Sequence, residues 1–111
     1  MKRTRLRLQV TRAAANAILE QADYYAERES ETLAQRWEEA VHNAMHSLLK
    51  LPEQGAPCNF GHPKLQNLRR ILVPGFSRHL VFYEYLREKR TVRIVHVIHG
   101  ARDIESLLSA L

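Results

Sequence analysis

Histidine side chains are the first candidates for chemistry in this chain. His99 could serve as a general acid or base, because imidazole groups gain and lose protons near neutral pH. His96 and His99 together could suggest a metal site, but residues three apart on a strand are expected to point to opposite faces. Cys58 and His62 add no fixed ligand geometry. We therefore expect neither a metal ion nor another cofactor.

Other enzyme signatures are missing from the sequence. It contains no Gly-rich phosphate loop, no G-x-S-x-G nucleophile elbow and no paired carboxylate motif. Cys58 is the only cysteine, so a disulfide framework is excluded and a reducing cytoplasm is the expected compartment. No apolar run approaches the roughly 18 residues that span a bilayer, which predicts no membrane partner.

Charge is distributed unevenly along the 111 residues. Residues 1–12 carry five basic and no acidic side chains, residues 13–56 carry three basic and eight acidic, and residues 57–111 carry nine basic and four acidic. Clustered charge raises the local potential and speeds association with the opposite charge. The basic segments predict a positive face that attracts nucleic acid or an acidic peptide, with an ordinary solvated surface as the alternative.

Hydrophobic periodicity predicts the elements that position these side chains. Apolar and polar residues alternate over residues 5–10, which indicates a half-buried first strand with arginines on its other face. Two amphipathic helices follow and are expected to form a hairpin. Thr11 should cap the first helix, which ends near Arg28, and Ser30 should cap the second, which Pro52 ends.

The second half of the chain is predicted to form strands. Glycine and proline are frequent over residues 52–66, which indicates an irregular connection. Strands are then expected over residues 68–73, 79–86 and 91–98, joined by short turns in an antiparallel meander. A short C-terminal helix should follow, with Asp103 as its cap.

The last predicted strand is apolar in both of its alternating positions. One set contains Val92, Ile94 and Ile98, and the other contains Val95 and Val97. We therefore expect this strand to be central and buried on both faces. The pattern predicts an α+β fold in which a helical hairpin covers one face of a mainly antiparallel curved sheet. Residues 1–111 should form one domain, since single domains commonly contain about 100–150 residues.

Two stretches of the sequence carry a recognisable motif. They are FSRHLVFY at residues 76–83 and VHVIHGARD at residues 95–103. They resemble the ParE branch of the RelE/ParE toxins, in which a segment of the form F-x-x-x-L-I-F-Y is followed by a strand that ends in V-L-H-G-A-R-D. The residues ADYY (22–25), AQRW (34–37) and the P-x-x-G turn at 52–55 extend the resemblance over nearly the whole chain.

The resemblance implies a toxin of a type II toxin–antitoxin system, of the kind associated with plasmid stabilisation. It would be encoded beside a ParD-like antitoxin whose flexible acidic and apolar segment wraps and neutralises the toxin. Operator DNA would be bound only through the antitoxin. The ParE branch acts on DNA gyrase, whereas the RelE branch cuts messenger RNA in the ribosome, and a shared fold does not decide between these targets.

RNA cleavage would need groups that deprotonate the 2′-hydroxyl, stabilise the charge on phosphorus and protonate the leaving oxygen. The resemblance to the RelE branch implies a phosphate-binding role for Arg69 or Arg70 and for Arg102, with His99 as acid or base. A RelE-like catalytic set would thus contain Arg70, His99 and Arg102.

Two positions depart from the RelE pattern. The catalytic tyrosine of that branch falls six residues beyond its arginine and corresponds here to Leu108, which cannot transfer a proton. A pair of catalytic lysines is represented only by Lys64. Some relatives use a glutamate and a histidine instead, so the enzymatic alternative stays open.

Three hypotheses follow from the sequence. The first is a toxin that inhibits gyrase by binding, without chemistry of its own, and the second is a ribosome-dependent mRNA endonuclease. The third is an inactive relative that acts with its antitoxin only in autorepression. The candidate contact residues for the antitoxin or the target are Arg69, Arg70, Arg78, Arg93 and Arg102. Each could instead be a solvated strand arginine or, for Arg102, an ion-pair partner of Asp103.

Overall fold

A computed structural model describes residues 5–100 and 104–111. The strands are Arg7–Val10 (β1), Ala56–Pro57 (β2), Leu68–Val73 (β3), Phe76–Leu86 (β4) and Thr91–His99 (β5). The helices are Arg12–Arg28 (α1), Glu31–Ser47 (α2) and Ile104–Ser109 (α3), with short 3₁₀ turns at Pro63–Leu65 and Arg87–Lys89. The α+β prediction, including its helical hairpin and short final helix, is confirmed. The candidate site residue Arg102 and the predicted cap Asp103 lie outside the described residues.

The five strands form one sheet in the order β1-β5-β4-β3-β2. The pairs β2–β3, β3–β4 and β4–β5 are antiparallel, and β1 pairs with β5 in parallel. The sheet is therefore mainly antiparallel, as predicted. The last strand, β5, has a neighbour on each side, although β4 is the middle strand of the five.

Side-chain caps fix the beginnings of the two long helices. The Thr11 hydroxyl accepts a hydrogen bond from the Ala14 amide at 3.2 Å, and the Ser30 hydroxyl accepts one from Leu33 at 3.0 Å. Each bond satisfies an amide that has no partner within its helix. Both predicted caps are confirmed, and α1 ends at Arg28 as expected. The end of α2 at Ser47 comes before Pro52, because tighter turns already replace the helical bonds after residue 47.

The sheet is covered on both faces. The helices α1 and α2 pack on one face, which we call the hairpin face, and its core includes Trp37, Val41 and Tyr83. The other face, which we call the α3 face, is covered by α3 and the segment before β3. Its buried residues are Cys58, Leu65, Leu68, Phe82, Ile98 and Leu108. No helix in the described parts of the chain is long and apolar enough to span a bilayer.

A bulge in β5 changes the predicted alternation. Phe82 pairs with His96 but Tyr83 pairs with Ile94, so β5 contains one more residue than β4 at this point. An extra residue shifts all later side chains to the other face. Val97 consequently joins Val92 and Ile94 on the hairpin face, while Ile98 lies on the α3 face. The predicted grouping of Ile98 with Val92 and Ile94 is therefore wrong.

Several predicted boundaries also differ from the structure. The strand β4 begins at Phe76 rather than residue 79, because the tight turn at Gly75, with φ +83°, lets Phe76 pair at once with Val73. The connection over residues 52–66 is less irregular than predicted, since it contains β2 and a 3₁₀ turn. The first strand begins only at Arg7 and leaves Val10 37% exposed.

Candidate binding face

The neighbouring arginines of β3 point to opposite faces of the sheet. Arg69 donates hydrogen bonds to the carbonyl oxygens of Glu53 at 3.1 Å and Gly55 at 2.7 Å. Its guanidinium also lies 3.8 Å from the Glu53 carboxylate. Arg69 therefore holds the segment before β2 in place.

Arg70 and Arg78 lie on the α3 face and are exposed. Arg70 is opposite Phe82, a core residue of that face, and its Nη1 is 3.9 Å from the Cys58 sulfur. Arg78 shares the face by alternation with Leu80 and Phe82 along β4. Both guanidinium groups can meet an anionic partner without disturbing the core.

Arg93 is the third arginine on the α3 face. It is directly opposite Glu84 in the β4–β5 pair and forms an ion pair with that carboxylate. The Arg93 side chain is 41% exposed, whereas that of Glu84 is 15% exposed. The Nε atom of Arg93 is buried and has no hydrogen-bond partner among the described residues. Arg93 is thus partly neutralised but retains donor capacity.

A cavity of about 360 Å³ opens on the α3 face beside this ion pair. Its charged lining comes from Lys64, Glu84 and Arg93. Its apolar lining comes from Leu65, Leu68, Val95, Leu108 and Leu111. The cavity thus combines cationic groups with an apolar floor.

His99 lies away from these arginines. It is exposed, and its ring stacks 4.5 Å, centroid to centroid, from the ring of His79, which is buried on the hairpin face next to Trp37. His99 and Arg70 therefore occupy opposite faces of the sheet. The structure does not bring together this pair from the RelE-like catalytic set.

His79 is a buried functional group that the sequence analysis did not single out. Its Nε2 is 2.9 Å from the Tyr25 hydroxyl oxygen, and its residue surface is 2% exposed. Burial, together with the nearby His99, lowers the pKa of His79 to about 4. The ring is therefore neutral at physiological pH.

His96 and His99 line the same pocket beside α1, together with Glu20 and Tyr24. The prediction that the two histidines point to opposite faces is confirmed by the register, because both follow the β5 bulge and pair regularly, His96 with Phe82 and His99 with His79. Burial lowers the pKa of His96. Over residues 5–100 and 104–111, no group of three or more His, Cys, Asp or Glu side chains could hold a metal ion.

Leu108 is part of the core rather than of an exposed site. It is 2% exposed and packs on the α3 face with Leu65 and Phe82. A residue in this environment is held by apolar burial. The position that corresponds to the RelE tyrosine is thus a packing position in this chain.

The sequence analysis missed Glu84 and the basic turn over residues 87–90. Glu84 could have been found from a strand register that pairs it with Arg93, but the bulge hides that register. The turn carries a visible signal, because the run REKR contains three cations in four residues.

The sequence matches the model of a known toxin family. The model for the ParE toxin of the type II toxin–antitoxin system parDE matches residues 8–104, most of the chain. The chain belongs to the ParE toxin family. It is therefore a toxin of the type II toxin–antitoxin class. A sequence comparison with curated proteins gave no match.

Solved structures share the fold of this ParE-family toxin. A chain of the chromosomal ParDE TA system from P. aeruginosa superposes with a TM-score of 0.70 at 16% identity, over 86% of this chain and 97% of that one. The RelBE2 complex from Mycobacterium tuberculosis gives 0.58 at 17% identity, over 91% and 98%. Isolated E. coli RelE gives 0.53 at 16% identity, over 96% and 99%. At these identities the likeness concerns the fold alone.

Proposed function

We propose that this ParE-family toxin inhibits DNA gyrase by binding to it, without chemistry of its own, and that a ParD-like antitoxin neutralises it in the cytoplasm. The observation that carries the proposal is the separation of Arg70 and His99 on opposite sheet faces. General acid–base catalysis requires the proton-transferring group within hydrogen-bond reach of the reacting atoms. A single phosphate held by Arg70 would be remote from His99.

The core position of Leu108 supports the same conclusion. A tyrosine at that position of the RelE branch supplies a hydroxyl, whereas Leu108 supplies only apolar surface to the α3-face core. The chain therefore offers no replacement for the missing proton donor at this point of α3. Inhibition by contact requires no such donor.

The α3 face is the surface that we assign to the antitoxin. Its cavity presents Lys64 and Arg93 above an apolar floor, which complements a segment carrying both acidic and apolar side chains. Arg70 and Arg78 extend the positive charge along the same face. Arg102 lies outside the described residues and stays a candidate contact residue on the sequence resemblance alone. Arg69 contributes indirectly, by holding the segment that leads into β2.

Two activities of toxin released from its antitoxin test the proposal. Gyrase supercoiling and ribosome-dependent cleavage of a defined mRNA are measured side by side. We expect supercoiling to be inhibited and the mRNA to stay intact. Site-specific cuts that disappear in the Arg70→Ala, His99→Ala or Arg102→Ala variants would establish the endonuclease instead.

A double variant tests whether the α3 face contacts the antitoxin. Arg70→Ala combined with Arg78→Ala removes two exposed cations, so antitoxin affinity should fall about tenfold while the fold is retained. Arg36→Ala is the matched control, because it removes an exposed cation from α2 on the other side of the sheet. Equal effects of the double variant and the control on antitoxin binding would count against the assigned surface.

A further inference from the structure

Positive charge is concentrated at one end of the sheet, around the turn that joins β4 to β5. The 3₁₀ turn between β4 and β5 lies beside the start of β1, because Arg7 pairs with Thr91 and its amide donates to the Arg90 carbonyl at 2.8 Å. We call this region the basic end. Its exposed cationic residues are Arg5, Arg7, Arg87, Lys89 and Arg90.

Most of this charge is uncompensated. Arg87 forms an ion pair with Glu53 at 2.7 Å. Within the described residues, no ion pair is formed by Arg5, Arg7, Lys89 or Arg90. Glu88 is the one acidic residue in the turn itself. The basic end therefore differs from Arg69 and Arg93, whose charges are already paired.

The backbone of Arg90 gives a second, independent indication. Its φ of 50° and ψ of 44° are left-handed, a conformation that favours glycine or asparagine. The turn is closed by a bond from the Arg90 amide to the Arg87 carbonyl, which does not need the arginine side chain. Because the turn does not require arginine at this strained position, we expect the side chain of Arg90 to have another role.

The chemistry of the basic end indicates its ligand. Proteins that bind single strands stack bases on exposed aromatic rings. The aromatic residue next to the turn, Tyr85, is partly buried against the core of the hairpin face, and the Arg87 guanidinium lies 5.5 Å from its ring centroid. Arginine and lysine side chains without an exposed aromatic ring beside them are better suited to the phosphate backbone of a duplex, because charge alone supplies the affinity there.

We propose that the basic end binds the phosphate backbone of duplex DNA without reading its sequence. The choice of DNA over duplex RNA rests on the proposed function, because gyrase acts on duplex DNA. The family resemblance assigns DNA contact to the antitoxin alone, whereas this surface belongs to the toxin. Such a contact would raise the toxin concentration near a target that is itself on DNA.

Fluorescence anisotropy tests the proposal by measuring how the toxin binds a labelled DNA duplex in the absence of gyrase. A duplex of about 20 base pairs accommodates several phosphate contacts. The test variant combines Arg7→Gln, Lys89→Gln and Arg90→Gly, and we expect its affinity to fall at least about tenfold near 0.1 M salt. A plot of the logarithm of the binding constant against the logarithm of salt concentration has a negative slope. The magnitude of that slope should be smaller by about 2 to 3 in the triple variant, because each lost phosphate contact removes about 0.9. Arg90→Gly alone should weaken binding about threefold while keeping the turn.

Arg36→Gln is the matched control, because Arg36 lines a groove with Pro74 and Phe76 at the opposite end of the sheet. Equal DNA affinities of the triple variant and the parent would overturn the proposal, as would an equal loss in Arg36→Gln. Tighter binding of an RNA duplex of the same length would also overturn it. Loss of DNA binding in the triple variant, but not in Arg36→Gln, would support the proposal. This conclusion would hold even if the toxin did not inhibit gyrase, because that separate result would contradict only the proposed target.

Discussion

Adjacent residues of the same type have different roles in this toxin. Arg69 and Arg70 are indistinguishable in sequence, yet Arg69 is bonded to two loop carbonyls and Arg70 is exposed on the α3 face. Strand alternation predicts that they face opposite ways. It does not predict that a loop closes over Arg69, because that contact joins residues 14 and 16 positions apart. Side-chain roles on strands depend on such non-local neighbours.

Replacement of Arg90 by glycine should stabilise the fold. Glycine adopts the left-handed conformation without the clash that involves a Cβ, so the gain should be up to about 1 kcal/mol, or roughly 4 °C in Tm. Thermal unfolding of Arg90→Gly and Arg90→Ala measures the effect. The alanine variant loses the same charge but keeps the Cβ, and equal Tm values for the two variants would contradict this explanation.

His79 should make stability depend on pH. Its pKa is about 4 in the folded protein and near 6.5 when the chain is unfolded, so the unfolded state binds the proton first as pH falls. The contribution of neutral His79 to the free energy of unfolding is complete above pH 6.5 and is lost as pH falls from 6.5 towards 4. The loss should be on the order of 2 kcal/mol, because burial of the charged ring is unfavourable.

Urea unfolding at several pH values between 7 and 4 measures this loss in the parent and in His79→Gln. Glutamine retains a partner for the Tyr25 hydroxyl but does not titrate. The decrease in unfolding free energy should therefore be shallower in the variant. Parallel curves for the two proteins would show that His79 is not responsible.

At the level of elements, Tyr83 connects the sheet to the segment before β2. Its hydroxyl donates to the Pro52 carbonyl at 2.9 Å and accepts from the Gly55 amide at 2.8 Å. Gly55 is buried, and a Cβ there would lie 2.5 Å from the Tyr83 hydroxyl oxygen. The close approach explains why a glycine occupies this position.

Tyr83→Phe should therefore destabilise the toxin by about 1–3 kcal/mol, because it leaves the buried Gly55 amide without its acceptor. Denaturant unfolding checks the value. Tyr85→Phe is the control on the same strand and face, and it should cost less than about 0.5 kcal/mol because Tyr85 is more exposed. A neutral Tyr83→Phe substitution would show that water replaces the hydroxyl.

The sequence predicts elements better than it predicts their pairing. The caps Thr11 and Ser30 and the strand Leu68–Val73 follow from local patterns, and the structure agrees with them. The bulge in β5 and the parallel pairing of β1 depend on contacts between distant segments. The separation of His99 from Arg70 depends on that bulge, so the candidate site could not be assembled from the sequence alone.

For the whole molecule, charge and apolar surface together should determine the antitoxin complex. The α3 face offers an apolar cavity floor as well as cations, and salt screens only the charges. At 1 M salt the Debye length is about 3 Å, so the complex should weaken but persist. Size-exclusion chromatography of the complex in about 0.1 M and 1 M salt tests this expectation. Complete dissociation at 1 M would show that charge alone holds the partners.

The central claim is that the toxin acts by contact with gyrase, and titration of purified toxin into a supercoiling reaction tests it most directly. Because a binding inhibitor must occupy its target, inhibition should develop only as the toxin concentration reaches that of gyrase, and added antitoxin should reverse it. Arg36→Ala should leave the titration unchanged. Full supercoiling at a large excess of toxin, or complete inhibition by far less toxin than gyrase, would contradict the account.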